Sequence, residues 1–288
     1  MKLRRPLFRR LFKNQKAVSQ TLAAIMMIFL FITAIAVVWA WLYPAYLNFQ
    51  TTNNINGITT YMLRVDESVY DLYGDGIGST EVIRIDPNLG RIFYEEGRNV
   101  SLQFSDAGAT YNESYLFTEL GRLTYLMEGR RGVILNEGEY QYMKGPRVQS
   151  YYFINGSNSE VIYQGLTNLT LSRPTERSMQ MELEYRVRIY SWFDQDTNTL
   201  SITVNIIQLS IKASEFEIHN SKNVKINYNS TQAIYSDSTN VDTDFFVEGS
   251  VAAGFNPSEQ ALWFDKPGAV VNYDVNIEVV VSQYLFYY

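Results

Sequence analysis

The apolar positions of this chain follow two regimes. From Leu22 to Tyr43 the sequence "LAAIMMIFLFITAIAVVWAWLY" runs 22 residues without a charge, and Thr33 is its only polar side chain. As a helix at about 1.5 Å per residue it spans roughly 33 Å, enough to cross a bilayer. Trp39, Trp41 and Tyr43 gather at its far end, where amphipathic rings favour a membrane interface, and Pro44 disfavours straight continuation. The polar, Asn-rich "AYLNFQTTNNING" then predicts a helix end between Gln50 and Asn56. Beyond it Ile58, Tyr61, Met62, Val65, Val69, Leu72 and Tyr73 recur at helical spacing, with Gly74 as a stop. A short amphipathic helix over 57–73, packed on an outer domain, is expected; a helical continuation of the stem is the alternative.

From Thr80 the period changes from about four to two. "TEVIRID" and "RIFYEE" flank the turn "PNLG", and further strands are expected around Leu102, Leu123, Val133, Tyr151 and Leu169. Over 179–189, Met179, Met181, Leu183, Tyr185, Val187 and Ile189 alternate with Gln180, Glu182, Glu184, Arg186 and Arg188, the pattern of one half-buried strand with a wet face. "DQDTNT" turns it into a second long strand over 200–211, and a last alternation from Val271 to Val279 leads into "YLFYY". The expected fold is an N-terminal hydrophobic α-helix followed by a mainly β, antiparallel sandwich-like extracellular domain. The expected organisation is a leader (1–17), a hydrophobic helix (18–50), a linker with the short helix (51–79) and the β-rich domain (80–288), with a possible division near 212–222.

Charge adds a direction to this picture. Residues 1–17 hold seven of the 24 Lys and Arg and none of the 30 Asp and Glu, and no acid precedes Asp66. A basic segment before an apolar span places the leader in the cytoplasm and the body outside. The body is correspondingly acidic, which argues against nucleic acid as partner. With no cysteine, disulfides, thiolate zinc sites and thiol nucleophiles are excluded.

Three processing outcomes compete for the opening stretch. A secretory signal with Ala34-Ile35-Ala36 as its cleavage site would have an apolar core of ordinary length about 7–15 residues, and this one is longer. An uncleaved anchor needs only the span itself. The third rests on Lys16-Ala17-Val18-Ser19, a basic and a small residue at the cytoplasmic edge of an intact helix. That arrangement resembles the class III signal peptide of archaeal type IV pilins and archaellins. The resemblance covers roughly the first 50 residues. It implies cleavage by a prepilin peptidase between Ala17 and Val18, then assembly with other pilin-like subunits, as a homo- or hetero-polymer, from the membrane into a surface filament. The fifth mature position is Leu22, where bacterial pilins carry Glu; this points away from the bacterial branch.

Candidate chemistry is sparse. His219 is the only histidine and lies in "EIHNSKN", without a nucleophile motif, so it is expected at the surface. "DQDTNT" begins like a calcium loop but has Thr199 where the Gly is needed and Asn205 where the bidentate Glu is needed; "DSTNVDTD" (237–244) also lacks ligand spacing. "GDGIGST" has no phosphate-loop Lys and reads as a turn. Glu95-Glu96 and Asp66-Glu67 are sequence neighbours that would point apart, giving no acid/base pair. No catalytic residue, metal site or cofactor is expected, although an exported enzyme acting on surface polysaccharide would fit the same fold class. Five N-x-S/T sequons, at Asn99, Asn112, Asn155, Asn168 and Asn229, are compatible with glycosylation of an exported domain.

Overall fold

The computed structural model describes residues 6–117, 120–129, 134–145, 153–155, 166–212, 215–252, 259–264 and 272–288; the side chains of 6–19, 21, 153–155, 251–252 and 259–263 lie outside that description. A long helix, α1 (Pro6–Asp75), leads into a mostly β domain. The described residues up to Thr52, with Ile134, form one compact unit, and the other described residues form a second.

Among its described residues the second unit contains three sheets. Sheet A has the order β1 (Thr80–Ile85), β13 (Lys222–Val241), β16 (Tyr273–Tyr287), β11 (Thr199–Ile211), β10 (Val187–Asp194) and β7 (Phe153–Asn155). Sheet B has the order β12 (Glu217–Ile218), β2 (Arg91–Glu95), β5 (Arg122–Glu128), β9 (Ser178–Tyr185), β8 (Thr167–Thr175) and β6 (Tyr140–Lys144). Sheet C has the order β15 (Glu259–Phe264), β14 (Phe245–Ala252), β3 (Asn99–Asp106) and β4 (Asn112–Phe117). The described pairings are antiparallel except β11 with β16 and β7 with β10.

These sheets enclose two cores. In the first, Ile58, Met62, Val65, Val69 and Leu72 of α1 meet Leu123, Leu169, Met181 and Leu183 of sheet B and Val224, Ile226 and Phe286 of sheet A. In the second, Val100, Leu102, Phe104, Phe245 and Val247 of sheet C meet Ile202, Val204, Val275, Ile277 and Val279 of sheet A.

Sheet A serves both cores by changing the face it buries. Along β16 the buried positions are odd from Tyr273 to Val281 and even at Tyr284 and Phe286; along β11 they are even from Leu200 to Ile206, then Leu209. The two strands stay in unbroken register from Thr199 opposite Asp274 to Ile211 opposite Phe286. Because strand side chains alternate with period two, a change of parity without a change of register means that opposite faces are buried. β13 accompanies the switch with two irregularities, between Tyr228 and Ser230 and between Ala233 and Tyr235.

Several expectations change here. The segment 51–79 does not begin as a linker, because α1 runs through Pro44 and the Asn-rich stretch without a break. Several polar residues there bond within or beside the helix. Thr59 and Thr60 donate to the carbonyls of Ile55 and Asn56, and the buried Asn54 donates to the Tyr125 hydroxyl and to the Met127 sulfur. Burial of the apolar stripe outweighs weak local propensity. The helix ends at Asp75, one residue beyond Gly74; Gly76, at φ 92°, donates to the Leu72 carbonyl as the terminating residue. Tyr73, expected on the buried face, is exposed. The single strand expected over 179–189 is two, β9 in sheet B and β10 in sheet A, separated at Arg186. No division occurs near 212–222, since β11 before it and β13 after it belong to one sheet. The strands expected at Val133 and Tyr151 lie outside the described residues.

Two tight points of this fold are open to test. Gly121 has φ 71°, and a Cβ there would meet the Leu209 carbonyl oxygen at 2.0 Å, where sheets A and B touch backbone to backbone. Gly121→Ala is expected to cost more than about 2 kcal/mol, read as a lower urea midpoint of the detergent-solubilised chain. Asp106, at the end of β3, accepts hydrogen bonds from the Tyr111 N–H (2.7 Å), Thr110 (2.8 Å) and Thr243 (3.1 Å). Burial pushes its pKa up, but these bonds outweigh burial and hold it below the ordinary 3.8. A depressed folded-state pKa means that its contribution is present above that ordinary value and is lost as pH falls through the folded one. Asp106→Asn is therefore expected to cost about 1 kcal/mol at neutral pH and progressively less on acidification, measured as urea midpoints across an acid titration.

Candidate functional site: the stem helix and its buried anchor

From Leu22 to Tyr46 every side chain of α1 is exposed, Trp41 at 85%. Thr33, the one polar side chain up to Tyr43, donates to the Phe29 carbonyl and so asks nothing of its surroundings. Leaving one Leu, Ile or Phe side chain in water instead of burying it forgoes about 1.5–3 kcal/mol, so the run as a whole would cost on the order of tens of kcal/mol in aqueous solution. The helix is long and apolar enough to cross a membrane. Its all-round apolar surface fits lipid or other apolar helices equally. Lys16, Ala17 and Val18 lie on the helical backbone ahead of this run, and their side chains are outside the described residues.

The other end of α1 is fixed by burial and by one charge. The residues Ile58, Met62, Val65, Val69 and Leu72 place Asp66 on the same buried stripe, one step from Val65, with no exposed surface. Its carboxylate accepts from Lys144 Nζ at 2.5 Å and from the Thr167 hydroxyl at 2.7 Å. Lys144 reaches partly into solvent, so its charge is only partly desolvated while the carboxylate is fully enclosed. Two phenols complete the surroundings. Burial pushes the Tyr70 pKa up to about 12, against the hydrogen bond to Thr167 and with a further rise from Asp66. Tyr185 is raised well above the ordinary range, first by burial and then by Asp66. Both stay protonated at neutral pH and present O–H groups to the site.

Beside this anchor runs a second set of charges that the sequence pattern assigns to water. Glu184, Arg186 and Arg188 are almost wholly buried. Glu184 pairs with Arg98 at 3.2 Å and accepts from the Asn168 amide at 2.6 Å, while Arg186 donates to the Asn168 carbonyl oxygen at 3.2 Å. Further along sheet B, Arg122 pairs with Glu95 at 2.6 Å and with Glu182 at 3.3 Å. Alternation alone cannot find such residues, because it reports which positions share a face and not what covers that face.

The sequons separate by burial. Asn99, Asn112 and Asn229 are exposed; Asn112 accepts from Gln103, and Asn229 donates to Gln283. Asn168 is buried with both ends of its amide engaged by Glu184 and Arg186, so a glycan there is incompatible with this fold. The Asn155 side chain lies outside the described residues.

The remaining motifs are brought into no common site. His219 is exposed, 3.4 Å from Glu217. "DQDTNT" is the β10–β11 turn, in which the Asp194 carboxylate accepts from the Asp196 N–H. In "DSTNVDTD" Asp237 accepts from the Tyr111 hydroxyl. Of the adjacent acids, Asp66 is buried and Glu67 exposed, as a rotation of about 100° between helix neighbours requires. The sequence signal for Asp66 was its place within the Met62–Val69 stripe, four residues after Met62.

Removing the carboxylate tests the anchor. Asp66→Leu is expected to cost about 3 kcal/mol, the low end for a broken buried pair because Lys144 can turn to water, and Asp66→Asn less, since its amide oxygen still accepts from Thr167. The check is the urea midpoint at constant slope; a loss of under about 1 kcal/mol would mean that the apolar stripe alone holds the helix.

No protein-family model matches this sequence, and comparison with curated proteins and with solved structures returns no match.

Proposed function

We propose that the chain is a pilin-like subunit of an archaeal cell-surface filament, cut by a prepilin peptidase between Ala17 and Val18 and assembled through its apolar helix. The observation that carries this reading is the unbroken course of α1 from an apolar, exposed run to a stripe buried in its own β domain. A helix with an apolar segment made for a non-aqueous environment and a second segment buried in a folded body suits a subunit that assembles through its N-terminal part. In this reading the helix resides in the membrane before assembly and then packs against copies or related subunits in the filament core. The role is mechanical and adhesive, not catalytic, and the exposed sequons Asn99, Asn112 and Asn229 face the medium.

The alternative is a single-pass anchor carrying the same β domain, with an envelope-binding or stator-like role; it uses the same helix without cleavage. The two separate by mass. N-terminal peptide mass spectrometry on protein from its host's membrane and sheared-surface fractions is expected to give a chain beginning at Val18 in both. A chain beginning at Met1, found only in the membrane fraction, would establish the anchor and overturn the filament subunit.

A further inference from the structure

The change of buried face in sheet A leaves a second surface unaccounted for. Where Leu200, Ile202, Val204, Tyr273, Val275 and Ile277 face sheet C, the alternate residues turn outward. The strand registers set these in rows across four strands. One row is Ser238, Asn276, Ser201 and Trp192; the next is Ser236, Glu278, Thr203 and Tyr190; the row on the other side is Asn240, Asp274, Thr199 and Asp194. At about 4.8 Å between strands and about 7 Å between rows, they form a flat area roughly 14 Å on a side. None of the three rows contains an aliphatic or a basic side chain.

Trp192 is the exception to an otherwise hydrophilic face: it is 56% exposed, two residues from Tyr190 on the same side of β10. Arg188 stacks its guanidinium 4.0 Å from the centre of the Tyr190 ring and so braces it from one side. Tyr190 also belongs to the wall of an adjoining cleft of about 210 Å³, shared with Asn205, Tyr70, Tyr73 and Ser282. The polar face thus runs into a cleft whose wall mixes Tyr70, Tyr73, Tyr190 and Tyr284 with aliphatic side chains and Arg188.

We infer that this face and its cleft bind a neutral glycan chain. The reasons are chemical. Short hydroxyl and amide side chains both donate and accept, which suits a ligand made of hydroxyl groups. A flat, partly exposed aromatic ring offers an apolar surface to the C–H face of a sugar while its polar edge stays wet. A protein partner would call for an anchor at the centre of the patch in a fully desolvated pocket, whereas Trp192 stands on the outermost strand of the rows, more than half exposed, and the centre is Asn276, Ser201, Glu278 and Thr203. Asp274, Glu278 and Asp194 stand on the three rows with no basic side chain among them, and the cation of the cleft, Arg188, is almost wholly buried and stacked on Tyr190, so the face repels acidic polysaccharides and nucleic acids. This inference concerns the β domain alone and stands whether the chain is a filament subunit or an anchor.

The test is isothermal titration of the full chain with neutral hexasaccharides of glucose, mannose, galactose and N-acetylglucosamine, beside a hexuronate. A sugar-free zwitterionic detergent is needed, because a glycoside headgroup would compete. At least one neutral hexamer is expected to bind, and Trp192→Ala to weaken it about tenfold or more, the scale of a stacked aromatic hot spot. Asn276→Arg, which crowds the same row without removing a ring, is expected to weaken it as well, while Trp41→Ala on the stem leaves it unchanged. Absence of binding to any neutral hexamer at about 10 mM overturns the proposal. So does binding that survives both substitutions on the face, or a preference for the hexuronate. Circular dichroism of each variant keeps loss of binding distinct from loss of fold.

Discussion

The structure depends on how one end of a very long helix is held. The residues Ile58, Met62, Val65, Val69 and Leu72 make an apolar stripe that α1 buries between sheets A and B, and Asp66 sits on that stripe with its carboxylate enclosed. An apolar stripe fixes a helix loosely along its axis and about it, since dispersion contacts are short-ranged and non-directional. A buried carboxylate bonded to Lys144 and Thr167 has one geometry, and displacement leaves it unpaired at high cost. The stripe supplies the larger share of the stabilisation, and the charge sets the register. That pairing lets polar Thr and Asn residues, poor helix formers in isolation, stay helical between the apolar run and the anchor.

Sheet A organises everything else. By burying one face against sheet C and the opposite face against sheet B and α1, three long strands hold two cores in one unit without a linker. The same switch exposes, beyond each core, the face that is no longer buried. Opposite the second core that face is polar, apart from Trp192 and Tyr190. A helix suited to lipid or to its own copies and a hydroxyl-rich sheet face therefore belong to one chain, the first in the N-terminal segment and the second in the β domain.

The buried charges mark the limit of pattern reading. From Met179 to Leu183 the alternation is right, and β9 buries its odd positions. At Glu184 the rule fails, because the chain is about to leave sheet B for sheet A and the polar side of the strand is covered as well as the apolar one. Seven consecutive residues from Leu183 to Ile189 are buried. Three of them are charged, and Glu184 and Arg186 bond to the buried Asn168, the sequon whose location no local pattern discloses. Asp66 was legible in part, as an acid within an apolar helical stripe, but its partners Lys144 and Thr167 lie 78 and 101 residues away.

By itself the sequence determined what depends on solvent and period. An uncharged run of 22 residues has to leave water, a helical stripe has to be covered, and alternating residues have to form strands with one buried face. The turn chemistry of Gly76 and of "DQDTNT" is equally local. The tertiary structure decided the rest: that the stem continues through the Asn-rich stretch, that 179–189 is shared between two sheets, and that sheet A turns its buried face midway. Each of these is settled by contacts between residues far apart in the chain, where burial free energy exceeds local preference by several fold, so no window of neighbouring residues contains the answer.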